Sequence, residues 1–239
     1  MGFPATHLSL VRRAASDDSD TRARAEEALA TVYWAPIYTH VRLSHRQAPA
    51  DAEDLTQGFF VDALRRGLFA RYDPERARFR TYVRRCVDSY VSNALEAEGR
   101  LKRGGAAAFV SIEAAEIESR LTSETHGGAA GVEAVFQREW VRSVFTGALR
   151  RLRERYRETG RIDRLALFER YDLADSDDIR PTYAELAEER GLRVTQVTNW
   201  LAAVRRDFRA IVLDIIRELS GSEDEFRADV RDLLGIEPQ

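Results

Sequence analysis

Residues 51–103 carry the clearest structural pattern of the chain and read DAEDLTQGFFVDALRRGLFARYDPERARFRTYVRRCVDSYVSNALEAEGRLKR. In the second half of this stretch, apolar residues recur in steps that alternate between three and one. This spacing places them on one stripe of a helix with 3.6 residues per turn. The members of the stripe are Phe79, Tyr82, Val83, Cys86, Val87, Tyr90, Val91, Ala94 and Leu95. The opposite face carries arginine and short polar residues, so the pattern predicts an amphipathic helix with a basic, polar outer face.

The first half of the stretch predicts a separate helix with one buried face. Asp51 and Asp54 follow Pro49, and their carboxylates suit the free amide groups of a helix N-terminus. The residues predicted to point inward are Leu55, Phe59, Phe60, Ala63 and Leu64. A turn at Asp73 and Pro74 separates this helix from the basic one. The predicted order is therefore an acidic helix start, an aromatic helix, a turn and a basic-faced helix.

This block resembles region 2 of bacterial RNA polymerase sigma factors of the extracytoplasmic-function (ECF) group. Residues 51–60, DAEDLTQGFF, are similar to the helix with which that group docks on the β′ clamp of core RNA polymerase. The core-polymerase contacts that the resemblance implies are Asp51, Glu53, Asp54, Leu55 and Gln57.

The basic helix carries the second half of the resemblance. Residues 79–100, FRTYVRRCVDSYVSNALEAEGR, are similar to the ECF helix that melts promoter DNA and reads the minus-ten element. Separated DNA strands need cations for phosphates and hydrogen-bonding groups for exposed bases. The minus-ten contacts that the resemblance implies are Arg80, Arg84, Arg85, Ser89, Ser92, Asn93 and Arg100.

A second block, residues 181–209, reads PTYAELAEERGLRVTQVTNWLAAVRRDFR. Thr182 is placed to cap a first helix, and Gly191 permits a tight turn after it. The spacing of a small residue at Ala187, this glycine and an apolar residue at Val197 predicts a helix-turn-helix motif. Such a motif packs two short helices closely, so that the second one projects into the major groove.

The second helix of this motif carries side chains suited to DNA. Glutamine and asparagine can pair with adenine edges, and arginine can reach phosphates. In the ECF group the corresponding block binds the minus-thirty-five element and the β flap of the polymerase. The minus-thirty-five contacts that the resemblance implies are Thr195, Gln196, Thr198, Asn199, Arg205, Arg206 and Arg209. Many relatives carry arginine at the positions of Thr198 and Trp200. Two roles stay open for Trp200: packing inside the domain or stacking on a DNA base.

Charge is distributed in blocks although the net charge is only −3. Two blocks are basic: residues 71–103 hold nine basic and five acidic residues, and residues 136–161 hold eight basic and three acidic residues. Two blocks are acidic: residues 104–135 hold one basic and five acidic residues, and residues 207–239 hold four basic and nine acidic residues. Alternating blocks of this size predict separate surfaces for separate partners.

The composition excludes several classes of protein and site. No apolar run is long enough for a membrane span, and no apolar core of a signal peptide is present near residue 1. A single cysteine, Cys86, fits the cytoplasm and core packing. With one cysteine and four scattered histidines, neither a structural zinc site nor another metal site is expected.

The sequence predicts an all-α protein with two helical domains joined by a linker, the C-terminal one containing the helix-turn-helix. Residues 1–103 are predicted to form a region-2-like domain and residues 104–134 an acidic linker rich in glycine and alanine. Residues 135–220 are predicted to form a region-4-like domain, and residues 221–239 an acidic helical tail. This tail covers the DNA-binding domain, contacts the polymerase or completes the core.

The resemblance implies a transcription initiation factor that has no catalytic activity and needs no cofactor. Its partners would be core RNA polymerase, through the β′ clamp and the β flap, and promoter DNA. An anti-sigma protein is a further partner that such factors can have, whereas no membrane and no small-molecule substrate is implied. Three alternatives stay open. They are a helix-turn-helix regulator that binds duplex DNA alone, a metal-dependent nuclease using Asp51, Glu53 and Asp54, and a structural protein that has lost promoter recognition.

Overall fold

In the computed structural model, residues 9–101, 111–124, 129–173 and 180–235 are described, and they form helices and no strands. The all-α prediction is therefore confirmed. A 3₁₀ turn, Phe69–Arg71, lies between the third and fourth helices. In chain order the helices are α1 Leu10–Arg13, α2 Ser19–Ser44, α3 Pro49–Arg65, α4 Phe79–Leu101, α5 Ile112–Glu124, α6 Ala129–Glu158, α7 Ile162–Asp172, α8 Tyr183–Arg190, α9 Val194–Leu219 and α10 Glu223–Leu234. None of these helices combines the length and the hydropathy that crossing a membrane requires.

The chain divides into two compact units. The first comprises Met1–Val144 together with Ile216–Gln239, and the second is Phe145–Ile215. These boundaries differ from those drawn on the sequence, because the acidic tail from residue 221 onward belongs to the same unit as α4. Parts of the predicted linker, residues 104–110 and 125–128, lie outside the described residues.

The core of the first unit lies between α2, α3 and α4. Phe79, Val83, Val87 and Val91 recur every four residues along α4 and have no exposed surface. Helix α2 packs against α3, α4 and α5 and continues through Pro36, which lies inside it. Burying each large apolar side chain of this core stabilises the fold by about 1.5–3 kcal/mol. The buried residues that α2 and α3 contribute include Leu29, Tyr33, Ile37, Val41, Phe59 and Ala63.

The last helix of the chain caps the N-terminus of α4. Glu225 lies in the first turn of α10 and is only 6% exposed. Its Oε1 accepts a hydrogen bond from the backbone amide of Phe79 at 2.6 Å. Its Oε2 accepts from the amide of Gly221 at 2.8 Å and from the hydroxyl of Tyr72 at 2.9 Å. Since the first amides of a helix have no partner within it, Glu225 supplies from α10 the acceptor that α4 lacks.

Gly221 makes this approach possible. A Cβ atom at this position would lie 2.3 Å from Cε1 of Tyr72, which is closer than carbon atoms can approach. The backbone of residue 221 therefore packs directly against the ring of Tyr72. The tail fits onto the turn before α4 only because residue 221 has no side chain.

The second unit contains the paired helices α8 and α9. Thr182 and Glu185 form a reciprocal capping box at the start of α8. Gly191 ends α8 in the left-handed conformation with φ of 62°, and α9 begins three residues later. The hydroxyl of Tyr156 in α6 donates to Asp207 in α9 at 2.9 Å. Buried residues of this unit include Ala148, Leu152, Leu165, Phe168, Leu186, Val197, Leu201 and Val204.

The capping role of Glu225 predicts that its conservative replacement destabilises the first unit. In Glu225→Gln, an amide NH₂ replaces one of two buried acceptor oxygens, and we expect the free energy of unfolding to fall by about 1–3 kcal/mol. Urea denaturation in a Trp200→Phe background measures this, because the remaining tryptophans, Trp34 and Trp140, lie in the first unit.

The matched control is Glu223→Gln on the same helix. Glu223 is exposed and pairs only with Arg227 at 3.4 Å among the contacts that the structure describes. Its replacement should change the free energy of unfolding by less than about 0.5 kcal/mol. Equal effects of the two replacements would contradict the capping role.

Candidate functional site

One side of α3 presents a mixed acidic and apolar surface. Asp51, Asp54 and Gln57 are exposed on it. Val61 is 66% exposed and Leu64 is 39% exposed, so two large apolar side chains face solvent next to the carboxylates. We call these five residues the α3 stripe. The prediction that Leu64 is buried is wrong, and Val61 is not among the predicted site residues. The steps of three and four residues from Asp54 through Gln57 place both side chains on the exposed face.

Glu53 and Leu55 do not belong to the α3 stripe. Leu55 is 8% exposed and packs inward, while Glu53 is 7% exposed. Oε2 of Glu53 accepts a hydrogen bond from the backbone amide of Ser111 at 3.0 Å, immediately before α5. Of the five predicted polymerase contacts, the structure brings three together at the surface and directs two into the unit.

The predicted capping of α3 by aspartate is also wrong. The N-cap residue is Ala48, whose side chain makes no capping hydrogen bond, and Pro49 is the first helical residue. Proline has no amide hydrogen to satisfy and its fixed φ suits this position. Asp51 therefore lies within the first turn, where its negative charge interacts favourably with the positive end of the helix dipole. Its side chain is exposed at the surface.

A second exposed stripe runs along α4. Arg85, Ser89, Ser92 and Asn93 are all exposed, and their spacing of four, three and one places them on one face of the helix. Glu96 continues this face one turn later. We call these five residues the α4 stripe. It offers one guanidinium, two hydroxyls and an amide, which are groups suited to phosphates and base edges.

Arg80 and Arg84 lie on a different flank of α4, where both are occupied. Arg80 is 8% exposed, and its Nη2 lies 2.9 Å from Oδ1 of Asp229. Its guanidinium carbon lies 4.8 Å from the ring centroid of Trp140, in the geometry of a cation–π contact. Arg84 forms an ion pair with Glu133. The side chain of Arg100 lies outside the described residues.

The partners of Arg80 form a charge cluster between α10 and the start of α4. Arg78 Nη1 lies 2.6 Å from Oδ2 of Asp232, and Arg80 Nη2 lies 3.4 Å from the same oxygen. Asp229 is buried, and burial raises its pKa to about 6 although Arg80 opposes the shift. The hydrogen bond from Arg78 instead lowers the pKa of the half-exposed Asp232.

The predicted minus-thirty-five residues are all exposed on α9, but some of them already form hydrogen bonds or ion pairs within the protein. Gln196 Oε1 accepts from the backbone amide of Arg193 at 3.0 Å, and Thr198 donates to the carbonyl of Val194 at 3.0 Å. Arg205 forms a two-pronged pair with Asp172 at 2.8 and 2.9 Å, which raises the pKa of this guanidinium. The other members, at the surface of the same helix, are Thr195, Asn199, Arg206 and Arg209.

Trp200 is half-buried in the second unit. The guanidinium carbon of Arg164 lies 5.1 Å from its ring centroid. The ring therefore already stacks on a cation of α7, which is the geometry of a structural prop.

Comparison with known families bears on the first unit. Residues 34–101 match the family model described as sigma-70 region 2. This segment of the chain is therefore similar to region 2 of sigma-70 factors. The matched segment begins in α2, includes α3 and its stripe, and ends with α4. No curated protein and no solved structure matches the chain.

The region 2 match supports a role in transcription initiation, in a family whose members are not enzymes and whose region 2 binds the minus-ten element. It also implies core RNA polymerase and promoter DNA as partners. The match covers 68 of the 239 residues and does not extend to α8 and α9.

The raised pKa of Asp229 predicts a pH dependence of stability. The native state holds this proton more tightly than the unfolded chain, where the pKa is near 3.8. The free energy of unfolding should therefore fall by on the order of 2 kcal/mol as the pH rises from about 4 to about 6. Asp229→Asn should remove this decline in urea denaturation at pH 4, 5, 6 and 7.

Asp232→Asn is the control for this measurement. Because the pKa of Asp232 is lowered in the native state, its contribution to stability is present above the unfolded pKa and is lost as the pH falls. The Asp232→Asn variant should therefore keep the decline between about pH 4 and 6 that Asp229 causes. Identical profiles for wild type and Asp229→Asn would contradict the assignment.

Proposed function

We propose that this chain is a sigma factor of the ECF group that acts in the cytoplasm. It binds core RNA polymerase, directs it to promoters, opens the minus-ten element and docks on the minus-thirty-five element. The observation that carries the proposal is the region 2 match over residues 34–101, together with the two exposed stripes in that segment.

The α3 stripe is the proposed contact with the β′ clamp. Exposed apolar side chains beside carboxylates are typical of a docking surface, since the apolar groups gain from burial and the charges set orientation. Val61 and Leu64 supply the apolar part, and Asp51, Asp54 and Gln57 supply the polar part. Glu53 and Leu55 are omitted from this contact because both are buried.

The α4 stripe is the proposed contact with the minus-ten element. Arg85 is the phosphate-binding group, and Ser89, Ser92 and Asn93 are available to exposed bases. Arg80 and Arg84 are assigned to holding α4 in place, because their guanidinium groups already pair with carboxylates of the same unit.

Helices α8 and α9 are the proposed contact with the minus-thirty-five element and the β flap. Arg206 and Arg209 are the proposed phosphate contacts, and Thr195 and Asn199 are the side chains best placed for base edges. The short turn through Gly191 and the exposed polar start of α9 support this role. The same observations favour the second candidate function, a regulator that binds duplex DNA without polymerase.

The polymerase contact is tested by replacing residues of the α3 stripe. Asp54→Ala should weaken binding to core RNA polymerase about tenfold, and Val61→Asp should weaken it further, because a charge would enter an apolar contact. Fluorescence anisotropy of the labelled chain titrated with core enzyme measures both. Asp20→Ala, which removes an exposed carboxylate on α2, is the control and should bind as wild type does.

Normal binding of core RNA polymerase by both α3 variants would contradict the proposed docking surface. If the wild-type chain failed to bind core enzyme and bound duplex DNA tightly by itself, the regulator would become the better interpretation.

The promoter contact is tested separately by Arg85→Ala. Loss of one charged hydrogen bond to phosphate should reduce the fraction of open complexes about tenfold while leaving core binding unchanged. Permanganate reactivity of thymines in the promoter measures opening. Arg24→Ala, an exposed arginine on α2, is the matched control, and equal effects of the two variants would count against the α4 stripe.

A further inference from the structure

Two histidines and one aspartate meet where the end of α2 lies against the middle of α4. Nε2 of His40 lies 2.7 Å from Oδ1 of Asp88, and Nε2 of His45 lies 3.0 Å from the same oxygen. All three ligand atoms lie within 4.8 Å of one another. We propose that His40, His45 and Asp88 form a binding site for a divalent transition-metal ion of the Zn²⁺ class. The sequence predicts no such site, since it holds one cysteine and four scattered histidines.

The donor set selects this class of ion. Two imidazole nitrogens and one carboxylate are the ligands of three-residue zinc sites, which leave a fourth position for water. Mg²⁺ and Ca²⁺ instead require ligands that are mostly oxygen. The side chain of Asp88 is 46% exposed, so an ion and its water can enter from that side.

The distances between the ligand atoms are close to, but not yet those of, a bound ion. Zinc–ligand bonds are about 2.0–2.1 Å, so the ligand atoms of a tetrahedral site lie about 3.3 Å apart. The two nitrogen–oxygen distances would have to open by a few tenths of an ångström. A rotation of the half-exposed Asp88 carboxylate can open these two distances, and the two imidazole nitrogens, which lie within 4.8 Å of each other, have to reach the same spacing.

Ser44 serves the site by contacting a ligand rather than the ion. Its Oγ lies 3.1 Å from Nδ1 of His40, the ring nitrogen that would not bind the ion. Metal-binding histidines usually donate the hydrogen of their other nitrogen to such an acceptor, which fixes the orientation of the ring. Because a hydroxyl can donate or accept, Ser44 satisfies His40 both with and without the ion.

Packing and hydrogen bonds hold the two histidines in place. His40 is buried, and its ring meets Phe136 edge to face with centroids 5.9 Å apart. The nearby positive charge of Arg84 is already paired with Glu133. His45 is the C-cap residue of α2, and its amide donates to the carbonyl of Val41. An ion here would therefore fasten the C-terminus of α2 to α4, one residue before Ser89 of the α4 stripe.

The test is isothermal titration calorimetry, in which Zn²⁺ is titrated into the full-length chain at neutral pH after treatment with a chelator. We expect one ion per chain, and an affinity that falls at least about tenfold in Asp88→Asn and in His45→Gln. The amide introduced by Asp88→Asn keeps an oxygen that can accept from both imidazoles, so this variant preserves the hydrogen-bonded arrangement while removing the charge that binds the ion. Thermal unfolding should show that Zn²⁺ raises the Tm of wild type by several degrees and leaves that of Asp88→Asn unchanged.

Two control variants address the other potential ligands. A His7→Gln/His126→Gln double variant removes the remaining histidines, and Cys86→Ser removes the only thiol. Both should bind Zn²⁺ as wild type does. The proposal is overturned if wild type shows no saturable binding, if Asp88→Asn and His45→Gln bind normally, or if only a control variant loses binding. None of these outcomes depends on sigma-factor activity.

Discussion

The first unit depends on the carboxylate of Glu225 at the start of α4. Helix α4 contributes four fully buried residues to the core and carries the α4 stripe, and its first amide, at Phe79, has no partner within the helix. The acceptor comes from a residue 146 positions later in the chain. Since the same carboxylate also accepts from Gly221 and Tyr72, a single buried group joins α4, the turn before it and the tail. The C-terminal helix is thus a structural part of the unit that contains the region 2 segment.

Part of the blockwise charge of the sequence is neutralised inside the first unit. The sequence alone predicts that the basic residues 71–103 and the acidic residues 207–239 form two surfaces for two partners. In the structure Arg78 and Arg80 pair with Asp229 and Asp232, so part of each block neutralises the other within one unit. What remains for an outside partner is smaller and more specific. Among the side chains of α4 that the structure describes, it is the exposed guanidinium of Arg85 with the polar residues that follow it.

Features set by local periodicity could be predicted from the sequence. The buried face of α4, the existence of the later helices and the turn at Gly191 all follow from spacing that operates within a few turns of helix. Features that depend on contacts between distant parts of the chain could not be predicted from the sequence. Whether Arg80 faces DNA or protein depends on α10, and whether Glu53 faces polymerase or Ser111 depends on α5. The proposed metal site was missed for the same reason, because Asp88 is far from His40 and His45 in sequence and a helix end falls between the histidines.

The proposed sigma-factor role is tested by transcription with purified core RNA polymerase on genomic DNA, with and without this chain, followed by mapping of the transcript 5′ ends. A sigma factor should produce start sites that appear only when the chain is present and that share a common sequence at the minus-ten position. An absence of chain-dependent start sites, with the chain folded and core enzyme active, would contradict this role.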